Sequence, residues 1–275
     1  MTFPVVGSNI PSAYQISNSL RFNTNDSAFL KRTNSTTGNR QKWTFSTWVK
    51  YTLKNNNSVL IYPHGASNNL VNLVFGANTM YMDIGSVGRM FQTNAVYRDP
   101  SAWYHVVVAF NTTDYATVAA GQVRVYVNGV EQTFSTTTNM SQGFNSAMND
   151  AVDVGIGRDE GADNNYADYY LAETHLIDGQ QLSPTDFGEF DEDSGIWKPI
   201  QYAGTYGTNG FYLKFNNTAN MGEDSSGNDN TFTPTKLLVG VSVVTSVVPD
   251  KFVGVNVLSL PELSSPMFPA LLNFK

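Results

Sequence analysis

The chain has 275 residues, 23 acidic against 16 basic for a net charge of -7, 13% aromatic and 14% charged side chains, and no cysteine. A disulfide framework and thiolate chemistry are therefore excluded, and the acidic balance, with no basic block to neutralise phosphates, argues against nucleic acid as a partner. Sparse charge, abundant aromatics and polar residues crowded between apolar runs predict an all-β chain in which helix is minor.

At the start, MTFPVVGSNIPSAYQ has no basic region, and Pro4 and Gly7 break its apolar stretch, so residues 1–18 are expected to form an arm rather than a secretory signal. SLRF and SAFLKR, from Ser19 and Ser27, bracket the turn-rich NTND and predict a short hairpin. WTFSTWVKY puts Trp43, Phe45 and Val49 on one face and Trp48 on the other, and aromatics on both faces predict a central strand. VLIY from Val59, then NLVNLVF and TMYMDI around the loop Gly76 to Asn78, predict a β-meander with a three-residue hairpin. WYHVVVAFN is again apolar on both faces, with Tyr104, Val106, Val108 and Phe110 set against Trp103, His105, Val107 and Ala109. In VRVYVNGVEQTF, Val123, Val125 and Val127 share one face, and Asn128-Gly129 supplies the positive φ of a type I′ turn.

VDVGIG from Val152 and YYLAETHLID from Tyr169 follow. Ser183-Pro184, an N-cap with proline at the first helical position and Asp186 in the first turn, predicts a helix of a turn or two. Gly188 to Asn209 reads as irregular, FYLKF from Phe211 as the final strand and GEDSSGNDN as a turn-rich loop. Beyond it, apolar segments are broken by Pro249, Pro261, Pro266 and Pro269. The run LLVGVSVVTSVVP is too short for a helical membrane span and rich in β-branched residues. Residues 236–275 are therefore expected to dock on the sandwich or on a neighbouring subunit, without membrane insertion.

The order and spacing of SLRF, WTFSTWVK, WYHVVVAFN, VRVYVNGV and YLAETHLIDGQQLSP resemble the laminin G-like branch of the concanavalin A-like lectin and glucanase sandwiches, over roughly residues 19 to 187. This implies an all-β, antiparallel jelly-roll sandwich, expected over residues 19–235, with one short helix and an irregular C-terminal extension. LAETHLIDGQQLSPTDFGE, GIWKP, YGTNGFYLKF and DSSGNDN further resemble virion structural proteins of marine bacteriophages, cyanophages among them, and extend the likeness to about residue 235. What that implies is a non-enzymatic virion component, in capsid decoration, fibre or tail, assembled in the host bacterial cytoplasm, contacting other virion proteins and forming a homo-oligomer. A tail-associated lectin module recognising host surface glycans is the alternative, and a glycoside hydrolase a third reading. Many laminin G-like relatives carry a DSSGN loop ahead of the LRF strand, whereas Asp224 to Asn228 follow the sandwich here; a permuted chain brings FYLKF beside SLRF. The relatives' Gly-x-Ile-Asp is replaced by Tyr169, Tyr170, Leu171 and Ala172, so no role of that Asp carries over.

Three constellations are candidate sites. Asn164, Asn165, Tyr166, Asp168 and Tyr169 offer ring faces for stacking on sugars beside short polar groups for their hydroxyls. Calcium is the candidate cofactor, with oxygen ligands from Asp159 and Asp163 on one irregular loop and from Asp224, Asn228 and Asp229 on another. Glu189, Asp191 and Asp193 alternate as the acids of related β-glucanases do, but they follow a short helix and run into Ser194-Gly195. An acidic surface loop is expected there, and no catalytic residue is assigned. His64, His105 and His175 lack ligand spacing, and the last two, in strands, are expected to be hydrogen-bonded structural residues.

Overall fold

The computed structural model describes residues 14–52, 58–64, 71–75, 79–159 and 166–237. The chain passes through β1 (Leu20–Phe22), β2 (Phe29–Thr33), β3 (Lys42–Tyr51), β4 (Ser58–His64), β5 (Val71–Phe75), β6 (Met80–Ile84), β7 (Gly88–Thr93), β8 (Tyr104–Asn111) and β9 (Val123–Val127). It continues through β10 (Val130–Glu131), β11 (Phe134–Thr137), β12 (Asp153–Ile156), β13 (Tyr169–Asp178), β14 (Gly188–Phe190), β15 (Trp197–Pro199), β16 (Phe211–Leu213) and β17 (Thr233–Thr235). One sheet of seven strands has the order β1-β13-β3-β8-β9-β10, with β16 also on β13; the facing sheet of eight has the order β11-β7-β6-β5-β4-β12-β2-β17. The ladders of both are antiparallel, as the jelly-roll expectation requires. Among the described residues no helix is long and apolar enough to cross a membrane.

Period-two alternation builds the core. Trp43, Phe45 and Val49 of β3, Val106, Val108 and Phe110 of β8, and Val123, Val125 and Val127 of β9 meet Leu60, Leu73, Phe75, Met82, Phe91 and Ile156 of the other sheet, each at most 7% exposed. Burial at this level stabilises by roughly 1.5–3 kcal/mol for each large apolar side chain. The Trp43 and Phe110 rings stack at 4.8 Å. Both strands with two apolar faces are internal, β3 between β13 and β8 and β8 between β3 and β9. The turn after β9 has φ of 48° at Asn128 and 78° at Gly129, the type I′ geometry, and Val127 pairs with Val130 across it. Gly129 is required twice over, because a Cβ there meets the Trp197 ring at 2.4 Å.

Three expectations are corrected. SLRF and SAFLKR are not a hairpin: Asn23 caps a 3-10 turn at Thr24–Asp26, and the chain leaves one sheet for the other, β1 pairing with β13 and β2 with β12 and β17. Each strand finds a partner far along the chain in preference to its neighbour. Gly188 to Asn209 is not wholly irregular, since β14 and β15 pair as a separate ribbon. FYLKF is not the last strand, because β17 closes the edge of the eight-stranded sheet. The Ser183-Pro184 signal gives a single 3-10 turn, Pro184–Asp186. The Gly76 to Asn78 hairpin, residues 1–13 of the arm and residues 238–275 lie outside the described residues.

The permutation expectation has a definite geometry. Leu20 and Phe22 face Leu171 and Tyr169, while Phe211 and Leu213 face Leu176 and Thr174, all on one side of β13. SLRF and FYLKF thus lie end to end as two halves of one edge strand. Between them β13 carries a bulge: Ala172 opposes Trp48 and His175 opposes Ser46, so Glu173 and Thr174 share the single place opposite Thr47. Glu173 takes φ of 46°, left-handed backbone uncommon for a residue with a Cβ, and the bulge turns its side chain outward.

Candidate functional site

A second buried layer lies on the outer face of the seven-stranded sheet, and sequence reading missed it. Residues from Leu182 to Tyr206 fold back over that face. Phe187 and Tyr202 pack on Val107 and Ile177, and Trp197, together with Ile16 from the N-terminal segment, packs on Trp48 and Ala172. Polar groups beneath this cover are paired. His105 accepts a hydrogen bond from Trp197 Nε1 at 3.0 Å and lies 2.9 Å from Ser46 Oγ, and His175 Nδ1 is 3.1 Å from the Tyr206 hydroxyl. Tyr14 donates to Glu173 Oε2 at 2.6 Å, Tyr212 donates to the same oxygen, and the two hydroxyls are 2.9 Å apart.

Electrostatics in this layer follow from burial. Desolvation lowers both His105 and His175 to about 3, so both are neutral at pH 7. The 3.9 Å approach of His175 Nε2 to Glu173 is therefore not an ion pair there. Burial pushes the Glu173 carboxyl up, opposed by its two tyrosine donors, and pushes Tyr14 and Tyr212 well above the usual phenol range. Between Ser46, Trp48, His105, Glu173 and His175 and the covering Phe187, Pro199 and Ile200 there is no volume for a water molecule. These groups have the chemistry of an acid–base site, but they are buried, His105 1%, His175 5% and Glu173 8% exposed.

The rim cluster divides. Tyr169 is fully buried, its ring 5.2 Å from Phe22 and its hydroxyl donating to Val59 O at 2.7 Å. Its assignment as a sugar-stacking ring is corrected: the ring belongs to the core. Asp168, 4% exposed, is held by Arg21 Nη2 at 2.6 Å and Thr52 Oγ1 at 2.5 Å. Tyr170 and Tyr166 stay part-exposed. Arg21 lies over the Tyr170 ring at 4.9 Å and donates to its hydroxyl at 3.0 Å, and Tyr166 sits 6.2 Å from Phe29. Asn164 and Asn165 lie outside the described residues. Beside Arg21 opens a cavity of about 240 Å³ lined by Leu20, Asn23, Asp26, Ala28, Lys236 and Leu237, room for one small ring where drug-sized ligands use roughly 300–1,000 Å³. Arg21, as the lone cation of SLRF, was the one sequence signal for it.

The loop Asp224–Asn230 is a structural clasp. Asp224 Oδ1 accepts from Tyr212 N and Ser226 N at 2.8 and 2.9 Å, and Oδ2 from Ser226 Oγ and Asn230 N at 2.8 Å each. Four donors fill the four lone-pair positions of the carboxylate, which corrects its assignment as a calcium ligand. Asn228 Nδ2 donates to Gly207 O and Gly210 O, and Asp229 is exposed in left-handed backbone. Asp159 is 9% exposed, and Asp163 lies outside the described residues. Among the described residues no three His, Cys, Asp or Glu side chains cluster as a metal would need.

Glu189 and Asp191 converge on one cation, Lys198 Nζ, at 3.2 and 3.1 Å. Asp191 also accepts from Ser194 N and Oγ, and those bonds with Lys198 lower its carboxyl to about 2. Asp193 is exposed on the same turn, its N–H donating to Asp191. The expected surface loop is corrected in part: Glu189 stands on β14, and only Asp191 and Asp193 belong to the surface turn that follows it.

Residues 22–186, more than half the chain, match a laminin G family model described as the concanavalin A-like lectin/glucanases superfamily. A search of curated proteins finds no match. Among solved structures, a protein from Bacteroides ovatus assigned as carbohydrate binding superposes with a TM-score of 0.51 at 14% identity, over 81% of this chain and 58% of that one. A heptameric SAP-like pentraxin from Limulus polyphemus gives 0.47 at 14% identity over 61% and 78%, and mouse laminin alpha1 domains LG4-5 give 0.43 at 13% over 74% and 48%. The chain spans about half the length of the laminin fragment and of the Bacteroides protein. With two facing antiparallel sheets in place and a family match across most of their strands, the chain belongs to the concanavalin A-like lectin/glucanases superfamily.

Proposed function

We propose that the chain is a non-catalytic structural component of a bacteriophage particle, in the capsid decoration, fibre or tail, and that it displays a lectin-like sandwich there. One observation carries the reading. The motifs that resemble phage virion proteins are not scattered: LSPTDFGE, GIWKP and Tyr206 of YGTNGFYLKF cover the outer face of the sheet, and FYLKF, tied by the DSSGNDN clasp, completes the edge of that same sheet. Beneath that cover the acid and base groups are paired and buried, and outside it Glu189 and Asp191 are tied to Lys198. A scaffold gains rigidity from this arrangement, and a hydrolase gains nothing. The extension beyond Lys236 supplies apolar contact with neighbouring subunits in this reading.

Mass spectrometry of particles purified from an infected culture is expected to find the chain in many copies, and gold-labelled antibody to decorate their surface. Its absence from particles that hold the other virion proteins overturns the proposal. A receptor-binding lectin module is the second reading, favoured by the cavity beside Arg21 and Asn23 and by the likeness to a protein assigned as carbohydrate binding. Glycan-array binding lost in Asn23→Ala and Lys236→Ala supports it. A blank array retires it.

A further inference from the structure

Among the described residues the exposed large apolar side chains are Val96, Val130 and Phe190, at 47%, 56% and 50%. Val96 and Val130 flank the passage from β10 to β11, and Phe190 lies on the outer-face ribbon near Gly129. Val130 is in β10 itself. Val96 lies between Asn94, whose N–H donates to Thr133 O at 2.9 Å, and Tyr97, whose hydroxyl donates to Gln132 Oε1 at 3.0 Å. Phe190 sits 4.9 Å from the Trp197 ring, which lies against Gly129.

β11 is the terminal strand of the eight-stranded sheet, and Ser135, Thr136 and Thr137 are exposed on it. From Gln132 to Asn139 there is neither a charge nor a proline. Edge strands are ordinarily guarded by lysine, proline, a bulge or a covering loop; β11 has one bulge, at Ser135. The opposite edge is guarded differently. β17 contains Pro234 and is followed at once by Lys236.

Leu237, the last described residue, packs into the core at that opposite edge, beside Leu20 and Ala28. In sequence it is followed by LVGVSVVTSVV, Leu238 to Val248, with no charge and mostly β-branched residues. We propose that the β10–β11 edge of one copy accepts this run from a second copy, which adds as a strand to β11 and covers Val96 and Val130. The proposal rests on the reading of the extension as a contact segment and names its acceptor. Donor and acceptor stand on opposite edges, so copies placed edge to edge bring the exit point of one beside the acceptor of the next. To reach its own β11 the run must first cross a sheet about 30 Å wide. A contact of this kind is head-to-tail, and repeated it closes a ring or extends a lattice.

Because the chain has no cysteine, introduced thiols report one contact only. Full-length Thr136→Cys is mixed with full-length Ser242→Cys, and separately with Ser246→Cys to cover a shift in register, under mild oxidation. At least one mixture is expected to give tenfold more disulfide-linked dimer than either variant alone. A disulfide that forms within single chains of the double variant at nanomolar concentration overturns the second-copy assignment, as does failure of both mixtures to cross-link. Thr136→Lys/Thr137→Lys is expected to halve or more than halve the mass seen by light scattering while leaving the circular dichroism melt unchanged; an unchanged mass counts against the acceptor edge. These measurements use purified protein, so their failure leaves detection of the chain in particles untouched, and absence from particles leaves a positive cross-link standing.

Discussion

β3, β8 and β13 are packed on both faces, and the two packings differ in kind. Inward, Trp43, Phe45, Val106, Val108, Phe110 and Leu171 make a dry core held by area and dispersion. Outward, Ser46, His105, Glu173 and His175 are also buried, but His105, Glu173 and His175 are each placed by a specific partner from the covering segment or the N-terminal one, and Ser46 by His105 in turn. The inner face tolerates error in proportion to lost volume, whereas the outer face fails when a partner goes missing.

Substitutions test that contrast. Phe45→Ala, at a fully buried position, is expected to cost about 3–5 kcal/mol in urea unfolding. Acid is expected to act next, through the outer layer. With folded values of about 3 for His105 and His175 against about 6.5 unfolded, the unfolded chain binds more protons through that window. Stability therefore falls as pH drops from about 6.5 toward 3, by up to roughly 1.4 kcal/mol per pH unit for each histidine. Glu173 and Asp178, raised by burial, act in the opposite sense and shallow the slope. His175→Gln is expected to flatten a plot of denaturation midpoint against pH; an unaltered slope means the ring is not neutral in the fold.

Glu173→Ala strands the Tyr14 and Tyr212 hydroxyls and is expected to cost about 1–3 kcal/mol, with tyrosine fluorescence reporting release of Tyr14. Gly129→Ala, against positive φ and the Trp197 ring, is expected to cost more than the roughly 1 kcal/mol of a strain-free glycine change. Smallest of all, Lys198→Ala removes only partly exposed ion pairs and is expected to leave the melting temperature within error.

The inner face was legible because its signal is local. Val123, Val125 and Val127 declare their side by alternation, and Asn128-Gly129 declares its turn. The outer layer was not, because His105, His175, Trp197 and Tyr212 come together from separate stretches and no short window contains their pairing. Tyr169 was assigned to the wrong face for a reason the sequence did hold. Leu171 and Leu176 both point inward although their spacing is odd, which strict alternation forbids. That parity break marks the bulge at Glu173, and counting back from Leu171 puts Tyr169 inside. The pairing of β1 with β13 rather than β2 had no such marker, since it joins segments about 150 residues apart.

The split strand alongside β13 also sets a timetable. As a ribosome releases the chain, Leu20–Phe22 emerges first but waits for Tyr169–Leu171, and the remaining half of that border stays open until Phe211–Leu213 has cleared the exit tunnel. Nascent molecules thus spend most of their synthesis with unfinished backbone ladders on display, the condition in which neighbouring polypeptides aggregate. Slower translation or added chaperone is therefore expected to raise the folded yield of this protein more than a stabilising core substitution does.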